Sequence, residues 1–316
     1  MKTYKKLTLA FLLLILVVPQ AGADEQTDQE PQIRTYQSGK KKSEDRWKDD
    51  QRHGLQTFWY ENGKKEAEQY YDNGILVSAS SWKPDGTPCP ETKLVDGSGI
   101  YVGWHENGKR ECEEHWKNSK LVSASSWKPD GTPCPETKLV DGSGIYVFWH
   151  GNGQKEYECH YKNGKEDGLV TFWHKNGKKE LEGNYKNGKE DGLATQWHAN
   201  GQKEWEGNYK DGKLEGLETE WHENGQKSYE VHWKDGKEDG LATQWHANGQ
   251  KEWEGNYKDG KLDGLLTDWY ENGKKEGEGN YKNGKEDGLA TQWDEDGNKT
   301  LEIQYKDGKE VSYEEF

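Results

Sequence analysis

Seven tryptophans set the terms of this chain. Trp149, Trp173, Trp197, Trp221, Trp245, Trp269 and Trp293 stand 24 residues apart, and each is followed four residues later by glycine: Gly153, Gly177, Gly201, Gly225, Gly249, Gly273 and Gly297. A fixed period of this length means one structural unit stacked on copies of itself. The unit reads "GLATQWHANGQKEWEGNYKDGKLE" at 192–215, and residues 190–214 recur unchanged at 238–262. Upstream, Trp59, Trp104 and Trp149 are 45 apart, as if segments had been inserted. Trp82 and Trp127 resolve this, because each lies four residues before a glycine, Gly86 and Gly131, so the steps from Trp59 to Trp149 are 23, 22, 23 and 22. Gly63 and Gly108 follow Trp59 and Trp104 in the same way, and Gly39 lies 24 residues before Gly63. The ladder therefore has twelve turns, from Gly39 to Gly297.

Within a unit the period is two. Leu193, Thr195 and Trp197 alternate with Ala194, Gln196 and His198, and Trp205, Gly207 and Tyr209 alternate with Glu204, Glu206 and Asn208. Aromatic-rich alternation between Asn-Gly and Asp-Gly turns predicts β-hairpins, and the glycine density excludes helix. A three-residue loop, Ala199-Asn200-Gly201 with the glycine left-handed, pairs His198 with Gln202 and sets Thr195 opposite Trp205 and Leu193 opposite Gly207. On that reading Leu193 and the repeat tryptophans share one aromatic core face. The fold class expected is all-β: an elongated array of about twelve consecutive hairpins in a twisted or curved antiparallel meander, preceded by a signal-peptide helix. With two strands per unit, each repeat advances the stack by about 10 Å.

The N-terminus has the form of a leader. Lys2, Lys5 and Lys6 precede an apolar run from Leu7 to Val18, and Ala21-Gly22-Ala23 offers a cleavage site before Asp24. The run is shorter than the ~20 residues a membrane span needs. The expected organisation is a signal peptide at 1–23, a disordered linker at 24–32 and the repeat array at 33–316. The mature protein is expected to be exported, periplasmic or secreted, with no membrane span. The net charge is −15, which removes the counterion-release drive for binding nucleic acid and disfavours anionic lipid. A hydrophobic content of 29% with such charge would suggest disorder, but 16 Trp and 17 Tyr placed in register argue for a folded array.

The segment "WEGNYKDGKLDGLLTDWYENGKK" at 253–275 resembles the MORN repeat, and most of all the bacterial variant found in proteins labelled YwqK-type toxin-antitoxin antitoxins. The resemblance runs from about residue 36 to 308. It implies stacked aromatic-glycine hairpins that serve as a binding or scaffolding surface, with an antitoxin role as the family's label.

The candidate sites are few. Six histidines follow a repeat tryptophan: His105, His150, His174, His198, His222 and His246. Equivalent positions two strands apart lie about 10 Å from one another, too far to share one metal, so these are expected to be solvated polar-face residues. Cys112 with His115 and Cys159 with His160 make two short pairs rather than a four-ligand site. In an oxidising compartment Cys89, Cys112, Cys134 and Cys159 are disulfide candidates, and Cys89–Cys112 with Cys134–Cys159 is the most local pairing. Cys89 and Cys134 sit in two identical "TPCPETK" segments within variant repeats at about 75–98 and 120–143, where Pro88 and Pro90 would interrupt a ladder. Asp294-Glu295-Asp296-Gly297 lacks EF-hand spacing, and Gly97-Ser98-Gly99 is not a nucleophile elbow. Near-identical repeats do not converge different residues on one pocket, so neither catalysis nor a cofactor or metal is expected. The partner expected is a protein; cell-wall glycan, stacked on exposed rings, is the alternative.

Overall fold

The computed structural model describes residues 30–36, 38–48 and 51–316. The signal peptide at 1–23 and most of the linker at 24–32 lie outside the described residues. Among those described there is no helix, and strands joined by tight turns account for the chain. It divides into two compact units that meet at Gly177 and Lys178 in the sequence.

In the second unit, strands Lys179–Lys186, Lys189–Trp197, Lys203–Lys210 and onward to Lys309–Glu315 pair antiparallel in chain order. The first unit runs in the same way from Gln32–Thr35 to Lys165–Trp173, with one small separate ribbon of Trp47–Lys48 and Gln51–Arg52. The all-β meander expected from the sequence is thus present in each unit.

Two turns alternate. At the first turn, Trp-x-x-x-Gly in eleven cases and Thr35 to Gly39 in the other, all twelve glycines have φ between +79° and +90° and donate their N–H to the carbonyl three residues back. His198 N–H donates to Gln202 O at 2.9 Å, which is the three-residue loop expected. At the other turn Asp211 (φ +50°) and Gly212 (φ +84°) form a two-residue reversal between Lys210 and Lys213. Left-handed values at both central positions are what the type I′ turn requires, and Asx-Gly supplies them at least steric cost.

The register departs from expectation beyond the first turn. Trp197 is opposite Lys203, but Gln196 is opposite Trp205, so Glu204 is an extra residue on the second strand. The same bulge recurs at Phe58/Trp59, Glu220/Trp221 and Gln244/Trp245. One extra residue inverts the alternation of everything after it. Trp205, Gly207 and Tyr209 therefore share a face with Gln196, Ala194 and Gly192, not with Leu193. Leu193 is 52% exposed and Ala194 4%, which corrects the expected placement of leucine in the core.

The core of the second unit is built by second-strand aromatics over small first-strand residues: Tyr185, Trp205, Tyr209 and Trp233 with Ala194 and Ala242. Glycine at 207 is a packing requirement, because a Cβ there would lie 2.6 Å from the Trp205 ring and 3.0 Å from Leu214. Burial of each such aromatic contributes about 1.5–3 kcal/mol.

Candidate functional site

Five of the six repeat histidines, expected to be solvated, instead have Nε2 engaged with a backbone carbonyl. His105 Nε2 meets the Trp127 carbonyl at 2.8 Å, His198 that of Trp221 at 3.0 Å, His222 that of Trp245 at 2.8 Å and His246 that of Trp269 at 3.0 Å. His150 makes the same contact with Trp173 at 2.6 Å. Tyr60 and Tyr270 stand at the equivalent position and donate their hydroxyls to Trp82 O and Trp293 O at 2.8 and 2.7 Å. Each is a staple from one repeat to the next. The turn asparagine adds a second: Asn200 Nδ2 donates to Glu223 O at 2.9 Å while its Oδ1 accepts from Gln202 N–H. At the opposite turn Gly212 N–H donates to Glu190 O, and Gly236 N–H to Leu214 O. Within each unit both rows of turns are therefore tied from repeat to repeat by bonds of about 1 kcal/mol each.

The ladder tryptophans are less buried than expected. Of Trp59, Trp82, Trp104, Trp127, Trp149, Trp173, Trp197, Trp221, Trp245, Trp269 and Trp293, only Trp149 is buried and the rest are half-buried. Their faces are covered by cations. Lys179 lies over Trp197, Lys203 over Trp221, Lys251 over Trp269 and Lys275 over Trp293, with the ammonium 5.5–5.8 Å from the ring centroid. The same lysines pair with a glutamate three residues on, as Lys275 does with Glu278 at 2.6 Å. Such a stack contributes about 0.5–1 kcal/mol at a half-exposed site.

All four cysteines are buried and none is bonded to another. The proline-bracketed pair is held close to the array and not looped out. Trp82 bridges Pro88, and Cys89 N–H donates to Ser81 O at 2.8 Å; Trp127, Pro133, Cys134 and Ser126 repeat the arrangement. The pairs Cys89–Cys112 and Cys134–Cys159 are not bonded in this structure; Cys112 is opposite Ser126, whose carbonyl accepts the Cys134 N–H. Burial pushes the Cys112 and Cys159 thiols up. Burial also opposes the Cys89 thiolate, but donors from Thr92, Glu91 and Trp104 outweigh it and hold that thiol below its ordinary range.

Each unit carries a cavity lined by acids and aromatic rings. In the first unit a cavity of about 420 Å³ has Tyr60, Trp104, Glu66, Glu111 and Glu156 around Lys42. Burial pushes Glu66 up to about 8, with Lys42 opposing and Glu106 and Glu156 adding. Burial depresses Lys42, against the pull of Glu156 and Glu66. In the second unit a groove of about 970 Å³ is walled by Trp253, Trp269 and Trp293, with Asp268, Glu276 and Glu252 among its carboxylates. His246 is its one basic side chain among the described residues, and that imidazole is engaged with Trp269 O. Sequence reasoning missed both cavities, since no local motif brings strands of successive hairpins together. Among the described residues no group of His, Cys, Asp or Glu is placed to hold a metal ion.

Stacked hairpins with a Trp-x-x-x-Gly turn, an Asx-Gly turn and ring staples between units define a class of β-hairpin repeat proteins. A family profile described as the MORN repeat variant matches this chain at residues 52–73, 98–118, 143–163, 166–187, 190–211, 214–235, 238–259, 262–283 and 286–307, and the chain belongs to that family. No curated protein sequence matches it. Among solved structures it is similar to one described as "Crystal Structure of TcdB2-TccC3", at 10% identity over 88% of this chain and 18% of that one. The TM-score of 0.16 is too low for that likeness to bear on fold or role.

Proposed function

We propose that this chain is an exported, non-enzymatic interaction scaffold of the cell envelope, and that its partner is a protein presenting basic groups. The observation that carries this reading is the second-unit groove, an aromatic-walled hollow rich in carboxylates with no lysine or arginine among its described lining residues. The net charge of −15 acts in the same direction, steering basic partners toward the array. The leader at 1–23 supports an envelope location. An antitoxin, the label attached to the similar bacterial variants, would have to meet a cytosolic toxin, and a leader works against that meeting. Stacking of an uncharged glycan on a ladder indole would give up the cation–ring attraction that its lysine supplies, a loss that a cationic partner replaces in kind.

The test is immobilised full-length chain exposed to envelope extract, beside sedimentation of the chain with purified peptidoglycan and glucan. Basic proteins are expected to be retained and released by salt. Retention on the polysaccharide with release by free sugar would replace this reading by the glycan one.

A further inference from the structure

Near-identical repeats make any local departure readable, and two departures coincide at one place. In the repeat before the groove, Gln244 is opposite Trp253. Gln244 Nε2 donates to Glu252 at 2.8 Å, and Gln244 Oε1 accepts from the Trp253 indole at 2.7 Å. Amide, carboxylate and indole satisfy one another there. One repeat later the register is the same, but Asp268 replaces the glutamine, Glu276 replaces Glu252, and Gly277 replaces the tryptophan. The amide that bridged is now a second acid beside Glu276, and the indole that covered it is gone.

Gly277 is not there for its backbone. It is not among the glycines of positive φ, and a Cβ at 277 would have only ordinary contacts, 3.7 Å from Asp268 Oδ2 and 3.7 Å from Thr291 O. What the glycine does is leave open the space that Trp253 fills in the repeat before. That space is part of the groove, bounded by Trp269 and Trp293. Both rings already hold an ammonium, Lys251 over Trp269 and Lys275 over Trp293, and neither lysine lines the groove. The first unit gives an internal comparison: its acid-lined cavity contains two lysines, Lys42 and Lys175, whereas this one has no lysine or arginine among its described lining residues and only the His246 imidazole.

We propose that the groove at Gly277 is a binding site for a basic peptide segment, with an arginine guanidinium entering between Trp269 and Trp293 and forking onto Asp268 and Glu276. A guanidinium matches this set better than a compact metal ion does. It is planar, stacks on rings and donates in two directions to two carboxylates, and among the described residues no group of three or more His, Cys, Asp or Glu could hold a metal ion. A hollow of about 970 Å³ is also larger than a single guanidinium fills, and takes the flanking peptide. Burial, then Glu276 and Glu252, pushes Asp268 up to about 6, the behaviour of a carboxylate short of a counter-charge. His246, Glu271, Asp294 and Glu295 are the other ionisable groups that face the groove.

This inference rests on the scaffold reading and narrows it to one site. The test is calorimetric titration of the full-length chain with acetylated tetra-arginine, with its neutral isostere tetra-citrulline, and with free agmatine. Two variants restore the residues of the preceding repeat and so suit the fold: Gly277→Trp, which fills the hollow, and Asp268→Gln, which removes the second acid. Tetra-arginine is expected to bind, with tetra-citrulline and agmatine at least about tenfold weaker and each variant weakening tetra-arginine about tenfold, or 1.4 kcal/mol. Absence of tetra-arginine binding, equal binding of citrulline or agmatine, or unchanged affinity in both variants would overturn it. Salt-eluted retention of basic proteins by the Gly277→Trp chain would then show that the wider reading survives without this site.

Discussion

At the scale of single residues, the position after each repeat tryptophan explains how successive hairpins are tied together within each unit. His and Tyr share it because both end a flat ring with a polar atom at the distance of the next repeat's tryptophan carbonyl, as His222 and Tyr270 show. A His222→Phe variant keeps the ring and loses the bond, and is expected to cost about 1 kcal/mol in urea denaturation. His222→Tyr should stay within about 0.5 kcal/mol of the parent. Equal losses in the two variants would mean the ring packs and does not bond. The exchange of Tyr60 and Tyr270 for histidine was visible in the sequence, and it is the signal that could have identified the staple. The acceptor was not visible, because it belongs to the next hairpin, 23 residues on.

At the scale of the hairpin, the turns were legible and the faces were not. Gly201 and the Asp211-Gly212 pair announce their conformations by residue type, since left-handed backbone favours these residues over others. The bulge at Glu204 has no such mark: glutamate sits there as it would in a regular strand, and the inversion emerges only when Trp205 is seen opposite Gln196. The inversion also makes sense of buried acids. Glu218 is 2% exposed and accepts the indole N–H groups of both Trp205 and Trp233. Glu218→Ala would leave two buried indoles without acceptors and is expected to cost about 2–4 kcal/mol, one to two for each orphaned donor. Glu218→Gln, which keeps one amide oxygen, should recover part of that loss in the same denaturant series. An alanine variant as stable as the parent would contradict the paired-indole arrangement.

At the scale of the whole molecule, acid groups held away from water make stability depend on pH. Glu66 titrates near 8 in the folded chain because burial disfavours its charge, against about 4.3 in an unfolded one. Between those values the native state binds the extra proton, so stability falls as pH rises. Glu111 is displaced in the same direction, again mainly by burial. His105 acts oppositely: burial lowers its pKa, so the unfolded chain takes up a proton first and stability falls as pH drops below about 6.5. The thermal midpoint is therefore expected to decline from pH 6.5 to 8.5, and Glu66→Gln to flatten that decline. A midpoint that rises over this range would show that Glu66 is solvated. Repeat arrays need not unfold in one step, so the midpoint, not a single free energy, is the quantity to compare.

The core and the candidate groove both depend on which face of the meander is the inside, and adjacent residues decide it. Leu241 is 47% exposed and Ala242 0%. Alternation read from the sequence alone assigns them the other way, with the leucine in the core. The most direct measurement is urea denaturation of Leu241→Lys and Ala242→Lys in the full-length chain. Leu241→Lys is expected to change stability by no more than about 0.5 kcal/mol. Ala242→Lys forces a charge against Val231 and the aromatic core, and is expected to cost about 3 kcal/mol or more. A tolerated lysine at 242 with a destabilising one at 241 would contradict the bulge, the inside it defines and the groove built upon it.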